Sequence, residues 1–127
     1  MNRSINPTSI AAPAANYAHA VVTEAPGRWL HTSGVVPVGP DGSTPADVGD
    51  QARVVWANIA AMLIDADMNA ADIVSVVTYV VVGEPLGPVM AARDEFLAGH
   101  LAASTLVTVP ELAQPLWRME VAIVAAR

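Results

Sequence analysis

The stretch DIVSVVTYVVV, residues 72–82, is almost continuously apolar and rich in β-branched side chains. β-Branched residues favour extended backbone, and a strand without polar alternation is typical of a sheet that is covered on both faces. The segments on both sides of it have the spacing of helices. The sequence therefore predicts a central strand here, connected to its neighbours through helices that pack on the sheet.

A long helix is predicted ahead of this strand, over residues 43–69. Thr44 can cap it, Pro45 suits the first helical position, and Asp47 stands where a capping-box acid belongs. Apolar residues then recur at spacings of three and four, namely Val48, Ala52, Val55, Ile59, Leu63 and Ala66. Such spacing gives one apolar stripe for packing on a sheet.

A second helix is predicted after the strand, over residues 86–100. Its inward side consists of Val89, Ala92, Phe96 and His100. Arg93 and Glu95 are predicted to turn away from the sheet. This helix is expected to connect the central strand to the next strand of the sheet.

The remaining apolar runs complete the sheet. STLVTVP and LWRMEVAIVAA predict two C-terminal strands, and residues 18–34 predict a hairpin with a Pro-Gly turn. The order ββαβαββ predicts one α/β domain over residues 1–127, with a mixed sheet and both helices on one face. Because two helices cannot cover both faces of an apolar sheet, a closed homo-oligomer is expected to cover the other.

The composition limits the partners of this chain. Hydrophobic residues make up 54% of the 127 residues and charged residues 14%, so some apolar surface is expected to meet another subunit. The net charge is −6 and no basic cluster is present, which argues against nucleic acid as a partner. The chain has neither an apolar membrane span nor the apolar core of a signal peptide. A cytoplasmic protein without membrane association is expected.

The residue types also limit the chemistry. The chain contains no cysteine, which excludes disulfides, a thiolate nucleophile and a cysteine-based metal site. Its three histidines, His19, His31 and His100, lie far apart without a paired spacing. No metal site and no other cofactor are therefore expected.

The stretch HTSGVVPVGP, residues 31–40, interrupts a predicted strand with Ser33 and Gly34. A glycine inside a strand packs nothing and weakens the strand, so it usually marks a bulge or a close approach to the backbone. The sequence therefore predicts that another group comes close to Gly34.

Several motifs together resemble one known family. They are YAHAV, HTSGVVPV, ADVGDQARVVWANIAAML, ADIVSVVTYVVV and RMEVAIVAA. The chain resembles the Rid superfamily, also called the YjgF or L-PSP endoribonuclease-like family, from about Asn16 to the C-terminus. Its most specific element is TSG-x-x-P followed by QAR-x-x-x-x-N. The resemblance implies a chorismate-mutase-like fold, a homotrimer with a barrel-like centre, and ligand clefts between adjacent subunits.

The resemblance also implies which residues bind substrate. Ser33 and Gly34 match cleft residues whose backbone lies close to a substrate carboxylate; Gly34 leaves room for it, and Ser33 can donate a hydrogen bond. Tyr17 matches a cleft-lining tyrosine, and Thr105 stands where the backbone of a family cysteine helps to hold the carboxylate. The alternatives are a plain β-bulge for residues 33–34 and an edge aromatic for Tyr17.

Two positions depart from the family pattern. RidA-type enzymes hydrolyse imines and enamines such as 2-aminoacrylate, and they hold the substrate carboxylate with an arginine whose place here is taken by Ala103. The family's water-binding carboxylate aligns with Arg118. Strand alternation puts Arg118 on the same face as Glu120. Arg118 is therefore expected either to hold a small anionic metabolite from the opposite wall or to form an ion pair with Glu120 or another subunit.

Three functions are open at this point. The first is hydrolytic deamination of a reactive imine, enamine or related small amino compound, with Glu111 as the candidate that orients the water. Because Ala103 replaces the arginine, 2-iminopropanoate is not the expected substrate. The second is a non-catalytic trimeric module that binds a ligand or a protein. The third, ribonuclease activity, belongs to the family's naming, and the acidic balance of the chain argues against it.

Overall fold

A four-stranded mixed sheet and two α-helices form the body of the protein in the computed structural model, which describes residues 1–127. The elements are β1 Asn2–Ile5, β2 Ala20–Thr23, β3 Trp29–His31, α1 Val48–Asp65, β4 Ile73–Val81, α2 Leu86–Leu97, β5 Ala103–Val109 and β6 Met119–Ala126. A short 3₁₀ helix, Ala70–Asp72, connects α1 to β4. The mixed α/β class predicted from the sequence is confirmed.

The strand order of the main sheet is β3-β6-β4-β5. β4 and β5 are parallel and are connected through α2, whereas β6 lies antiparallel to both β3 and β4. A parallel pair needs such a crossover, because a tight turn can join only antiparallel strands. β3 and β5 therefore lie at opposite edges of the sheet.

Both helices pack against one face of this sheet. The predicted stripe of α1 is buried at Val48, Ala52, Val55, Ile59 and Leu63. It joins one core with α2 and with the inward side chains of the two central strands, among them Val76, Val80, Met119, Val121 and Ile123. Neither helix is long and apolar enough to span a membrane.

The other side of the sheet, called the open face below, carries neither helix. It consists of alternate residues of three strands: Ser75, Val77 and Tyr79 of β4, Ala103, Thr105 and Val107 of β5, and Glu120, Ala122 and Val124 of β6. These side chains are half-buried or exposed. β4 is thus covered on one face within the chain, although its apolar sequence predicts cover on both.

The predicted hairpin over residues 18–34 is wrong. β2 pairs with β1 in a separate two-stranded sheet, and β3 pairs with β6. After the turn, the N–H groups of Gly27 and Arg28 both donate to the carbonyl oxygen of Arg127. The C-terminal strand therefore takes the place that β2 would have in a hairpin, and this pairing depends on residues far away in the sequence.

The predicted start of α1 is also wrong. Asp47, and not Thr44, is the N-cap, because its carboxylate accepts the backbone N–H of Asp50. The helix consequently begins three residues later than Pro45. The carbonyl oxygen of Pro45 instead accepts a hydrogen bond from the side chain of Gln51, which holds this residue outside the helix.

α2 ends at Leu97, before His100, and one of its side chains points in the unexpected direction. Arg93 is 5% exposed, although the sequence predicts that it turns away from the core. Its guanidinium pairs with Asp94 at 2.9 Å and donates to the hydroxyl of Ser104 on β5. The buried charge is thus compensated locally, which helical spacing alone does not indicate.

Candidate functional site

The serine and glycine at residues 33–34 follow β3, where the chain bulges away from β6. His31 pairs with Val124, and the next pairing is Val35 with Val121. One strand thus advances by four residues while the other advances by three, which is the geometry of a β-bulge. The bulge leaves both residues exposed. They are accessible to a ligand at this edge of the sheet.

The group that lies against Gly34 is the carboxylate of Glu120. A Cβ atom added to Gly34 would stand 2.9 Å from Oε1 and 3.0 Å from Cδ of Glu120. Non-bonded carbon atoms prefer separations of about 3.5–4.0 Å, so any larger residue at this position would collide with the carboxylate. The close approach predicted for Gly34 exists, and within one chain it comes from Glu120.

Gly34→Ala is expected to displace the Glu120 carboxylate without unfolding the protein. The φ angle of Gly34 is not positive, and the obstacle is the end of a flexible side chain. We expect the free energy of unfolding to fall by less than about 1 kcal/mol. Denaturant unfolding and a crystal structure of the variant measure the two effects. An unmoved Glu120 together with a loss of several kcal/mol would contradict this prediction.

Glu120 itself lies on the open face, directly beside Tyr79 of β4. Its side chain is half-buried, yet it takes part in none of the four ion pairs of the chain. From strand alternation alone, Glu120 is predicted only as an ion-pair partner for Arg118. Two sequence features indicated that Glu120 lies close to residues 33–34. They are the glycine that interrupts the strand at position 34 and the alternation along β6.

Arg118 lies one residue before β6 and is anchored by two polar contacts. Its Nε donates to Oε1 of Glu84 at 2.8 Å, and its backbone N–H donates to the side-chain oxygen of Gln51 at 2.8 Å. Glu84 is therefore its partner within the chain, and not Glu120. The Arg118 side chain is 33% exposed and therefore accessible to a ligand; its role in ligand binding stays a prediction.

Glu111 and Arg118 line one cleft of about 470 Å³ beside the segment that connects β5 to β6. The other residues of its wall are Pro110, Leu112, Ala113 and Pro115. Glu111 is exposed and has no ion-pair partner, so its carboxylate is accessible to water. No cluster of three or more histidine, aspartate and glutamate side chains is arranged to hold a metal ion.

Two polar residues of the QAR-x-x-x-x-N motif bind the backbone of segments close to the candidate site residues. Gln51 is fully buried, and its amide nitrogen donates to the carbonyl oxygens of Pro45 and Leu116. The amide nitrogen of Asn58 donates to the carbonyl oxygens of Val36 and Val38. α1 thereby fixes both the segment that follows the bulge and the segment that leads into Arg118.

Tyr17, Ala103 and Thr105 lie together at the other edge of the sheet. Ala18 forms a parallel bridge with Ala103, which places Tyr17 beside β5. Ala103 and Thr105 both face the open side, and Thr105 is exposed. The hydroxyl oxygen of Tyr17 accepts the backbone N–H of Ala14 at 3.2 Å.

The predicted site residues therefore form separate groups within one chain. The residues at 33–34 and the residues on β5 are separated by three strand-to-strand steps. At about 4.8 Å per step, this corresponds to about 14 Å across the sheet. A small molecule cannot touch both edges of the same subunit.

The comparison with protein families is consistent with this architecture. The family model described as Endoribonuclease L-PSP matches residues 8–127. The chain belongs to this family, the Rid superfamily. The resemblance noted in the sequence is thereby confirmed over nearly the full length of the chain.

Two proteins of Escherichia coli K12 are similar in sequence. The 2-iminobutanoate/2-iminopropanoate deaminase is 32% identical over 105 residues, which cover 80% of this chain and 81% of that protein. TdcF is 31% identical over 77 residues, and the match spans only 60% of each chain. The similarity to TdcF thus covers less than two thirds of its length.

Solved structures show the same fold. A Rid-family protein of unknown function from Yersinia pestis, YyfB, superposes with a TM-score of 0.88 at 32% identity and covers 99% of this chain and 98% of its own. The YjgF gene product of E. coli has a TM-score of 0.73 at 28% identity, with 98% of both chains covered. The arrangement of strands and helices is that of Rid-family structures.

Proposed function

We propose that this protein hydrolyses a reactive imine or enamine formed from a small amino compound. The reaction takes place in clefts between the subunits of a homotrimer with a chorismate-mutase-like arrangement and a barrel-like centre. The observation that carries the proposal is the division of the predicted site residues between two opposite sheet edges. A cleft between two subunits, as the family resemblance implies, would bring the two groups together. The chain belongs to the Rid superfamily, and the similar E. coli enzyme bears the name of an imine deaminase.

The surface of the chain supports this assembly. The open face is mostly apolar, and Val107 on it is 40% exposed. Trp29 on the edge strand β3 is 50% exposed. Closed rotational symmetry among three copies brings the β3 edge of one subunit to the β5 edge of the next and covers the open faces together. Residues 33–34 and Thr105 then line one cleft.

The proposed reaction needs few groups. Water adds to the electrophilic carbon of the imine, the nitrogen takes up a proton, and the carbon–nitrogen bond breaks as the carbonyl forms. An iminium ion and one water thus give a carbonyl compound and ammonium. Positioning of the water and one group that exchanges protons supply the catalysis.

The site residues divide these tasks. The exposed backbone and hydroxyl of residues 33–34 and the Thr105 segment hold the substrate, and Tyr17 closes the cleft beside β5. Glu111, exposed at the cleft that it shares with Arg118, is the candidate that orients the water. The predicted binding of a small anion by Arg118 requires its guanidinium to contact the ligand while it stays paired with Glu84.

Turnover of 2-iminopropanoate is expected to be low. Ala103 lacks the guanidinium with which RidA-type enzymes bind the substrate carboxylate. The loss of one hydrogen bond to a charged group lowers the rate about ten- to a hundredfold. The measurement is ammonia release from freshly generated 2-iminopropanoate. A Rid-family enzyme with the arginine serves as the reference, and a panel of other imines is tested in parallel.

The same assay separates the proposal from a non-catalytic module. Accelerated release of ammonia from any imine of the panel supports a deaminase. Absence of acceleration for the whole panel, with the trimer intact, indicates a trimeric ligand-binding or interaction protein. Turnover of 2-iminopropanoate at the reference rate shows that this chain does not need an arginine at position 103 for that substrate.

A further inference from the structure

We propose that Asp94 is a positioning residue that fixes Tyr17 at the β5 end of the intersubunit cleft. The proposal rests on the cleft proposed above and names residues behind it that set its geometry. Asp94 lies on α2 and uses both of its carboxylate oxygens. Oδ1 accepts the Nε–H of Arg93 at 3.0 Å, and Oδ2 accepts the side-chain amide of Asn16 at 3.0 Å. One carboxylate thus connects α2 to the residue that precedes Tyr17.

Arg93 restricts the orientation of this carboxylate. The Arg93 side chain is 6% exposed, and its Nη2 lies 2.9 Å from Oδ1 of Asp94. Nη2 has no hydrogen-bond acceptor in suitable geometry, so it depends on the charge of Asp94. A buried charge is costly unless an opposite charge compensates it. Arg93 therefore holds the carboxylate through Oδ1, which leaves Oδ2 for Asn16.

The segment that leads into Tyr17 depends on such an anchor. Over residues 6–17 the chain forms neither a helix nor a strand. The segment therefore lacks a ladder of backbone hydrogen bonds that would fix its position. Asn16 is exposed, and its side chain bonds to Asp94. This contact determines where the end of the segment lies relative to α2.

The residue after Tyr17 is tethered to the sheet. The backbone N–H of Ala18 donates to the carbonyl oxygen of Ala102 at 3.0 Å, and Ala18 forms a parallel bridge with Ala103. The Tyr17 ring lies edge to face with the ring of His19, with 6.0 Å between the ring centroids. Tyr17 is thus held from α2 on one side and from β5 on the other.

A fixed Tyr17 favours substrate binding. A side chain that is already ordered loses less conformational entropy when it contacts a ligand. Tyr17 is proposed to close the cleft and not to exchange protons, so its contact is the same in the substrate complex and in the transition state. Loss of such uniform binding raises KM and leaves kcat unchanged. An effect on KM alone is therefore the expected signature of a lost Asp94 contact.

Asn16→Ala tests this contact without removing either partner of the buried pair of Arg93 and Asp94. For the imine that the wild-type trimer hydrolyses fastest, we expect KM to rise at least fivefold and kcat to stay within twofold. The ring-proton signals of His19 in NMR spectra report on the Tyr17 ring, because an aromatic ring shifts the signals of a group that it contacts edge to face. We expect these signals to move toward the values of an exposed histidine.

Three further variants sharpen the test. Asn16→Asp is expected to have a larger effect than Asn16→Ala, because it sets a second carboxylate against Asp94. Glu95→Gln is the matched control for a change of charge on α2, and Thr8→Ala is the control for a truncation in the same N-terminal segment; both side chains are exposed. Neither control is expected to change KM or the His19 signals.

The outcomes separate this proposal from the proposed function. Unchanged His19 signals in Asn16→Ala overturn the proposal, because Asp94 then does not fix Tyr17. Moved signals with an unchanged KM show a contact that serves the fold alone and also overturn it. Where the wild-type protein hydrolyses no imine, the deaminase fails, and moved His19 signals in Asn16→Ala still support the positioning of Tyr17 by Asp94.

Discussion

Val77→Asp is expected to dissociate the protein into monomers of 13.2 kDa and to abolish imine hydrolysis. Val77 lies at the centre of the open face, between Ala122 of β6 and Thr105 of β5. In the proposed trimer, three such aspartates would be buried close to one another without counter-charges. The desolvation of each carboxylate costs several kcal/mol, and the open face offers no positive charge that compensates it.

The variant is expected to keep the fold of the subunit. Val77 is only half-buried within one chain, so the new carboxylate remains accessible to water once the subunits separate. Sedimentation measures the mass, and circular dichroism checks the helices and strands. Wild-type protein is expected at three times the mass of one chain.

Ala57→Asp is the matched control for this change. Ala57 is exposed on α1, on the side of the molecule away from the open face. The same charge there is expected to leave mass and activity unaltered. A wild-type protein that sediments as a monomer, or a Val77→Asp protein that stays trimeric, would rule out the shared cleft.

The elements that depend on local sequence were predictable. The stripe on α1 and the β-branched run of β4 each contain their own periodicity, and both elements are present in the structure. Gly34 also gave a usable signal, because a missing side chain inside a strand implies a close neighbour. What approaches it could not be read from the sequence, since Glu120 is more than eighty residues away.

The features that depend on distant pairing were the ones that sequence patterns misplaced. The Pro-Gly turn after β2 is a hairpin signal, yet β3 pairs with the C-terminal strand. Arg118 illustrates the same point for the candidate site. Strand alternation predicts that Arg118 faces the same side as Glu120, but the acid that pairs with it, Glu84, belongs to the turn after β4.

The motif QAR-x-x-x-x-N carries a structural meaning that its pattern does not reveal. A buried glutamine and a half-buried asparagine on α1 both bind main-chain groups of segments that flank the site. Polar side chains at these positions take the place of hydrogen bonds that irregular backbone cannot make to itself. The motif thus supports the site geometry, irrespective of which residues contact the substrate.

Gln51→Leu is accordingly expected to lower the free energy of unfolding by about 2 to 4 kcal/mol. Gln51 satisfies the carbonyl oxygens of Pro45 and Leu116 and the backbone N–H of Arg118, and leucine of similar volume satisfies none of them. Leaving buried polar groups without partners costs more than the lost hydrogen bonds themselves. Urea unfolding at a fixed protein concentration measures the effect, since dissociation makes stability depend on concentration.

Arg53→Leu provides the comparison, because it removes a polar side chain from the same helix only two residues away. The side chain of Arg53 is 66% exposed, and its ion pair with Asp50 is exposed as well. Such pairs contribute about 0 to 1 kcal/mol, so this variant is expected to unfold close to wild type. Equal stabilities of the two variants would show that the three contacts of Gln51 are dispensable. Loss of activity in Gln51→Leu below its unfolding transition is also expected, because Arg118 and the cleft beside Glu111 lose their anchor on α1.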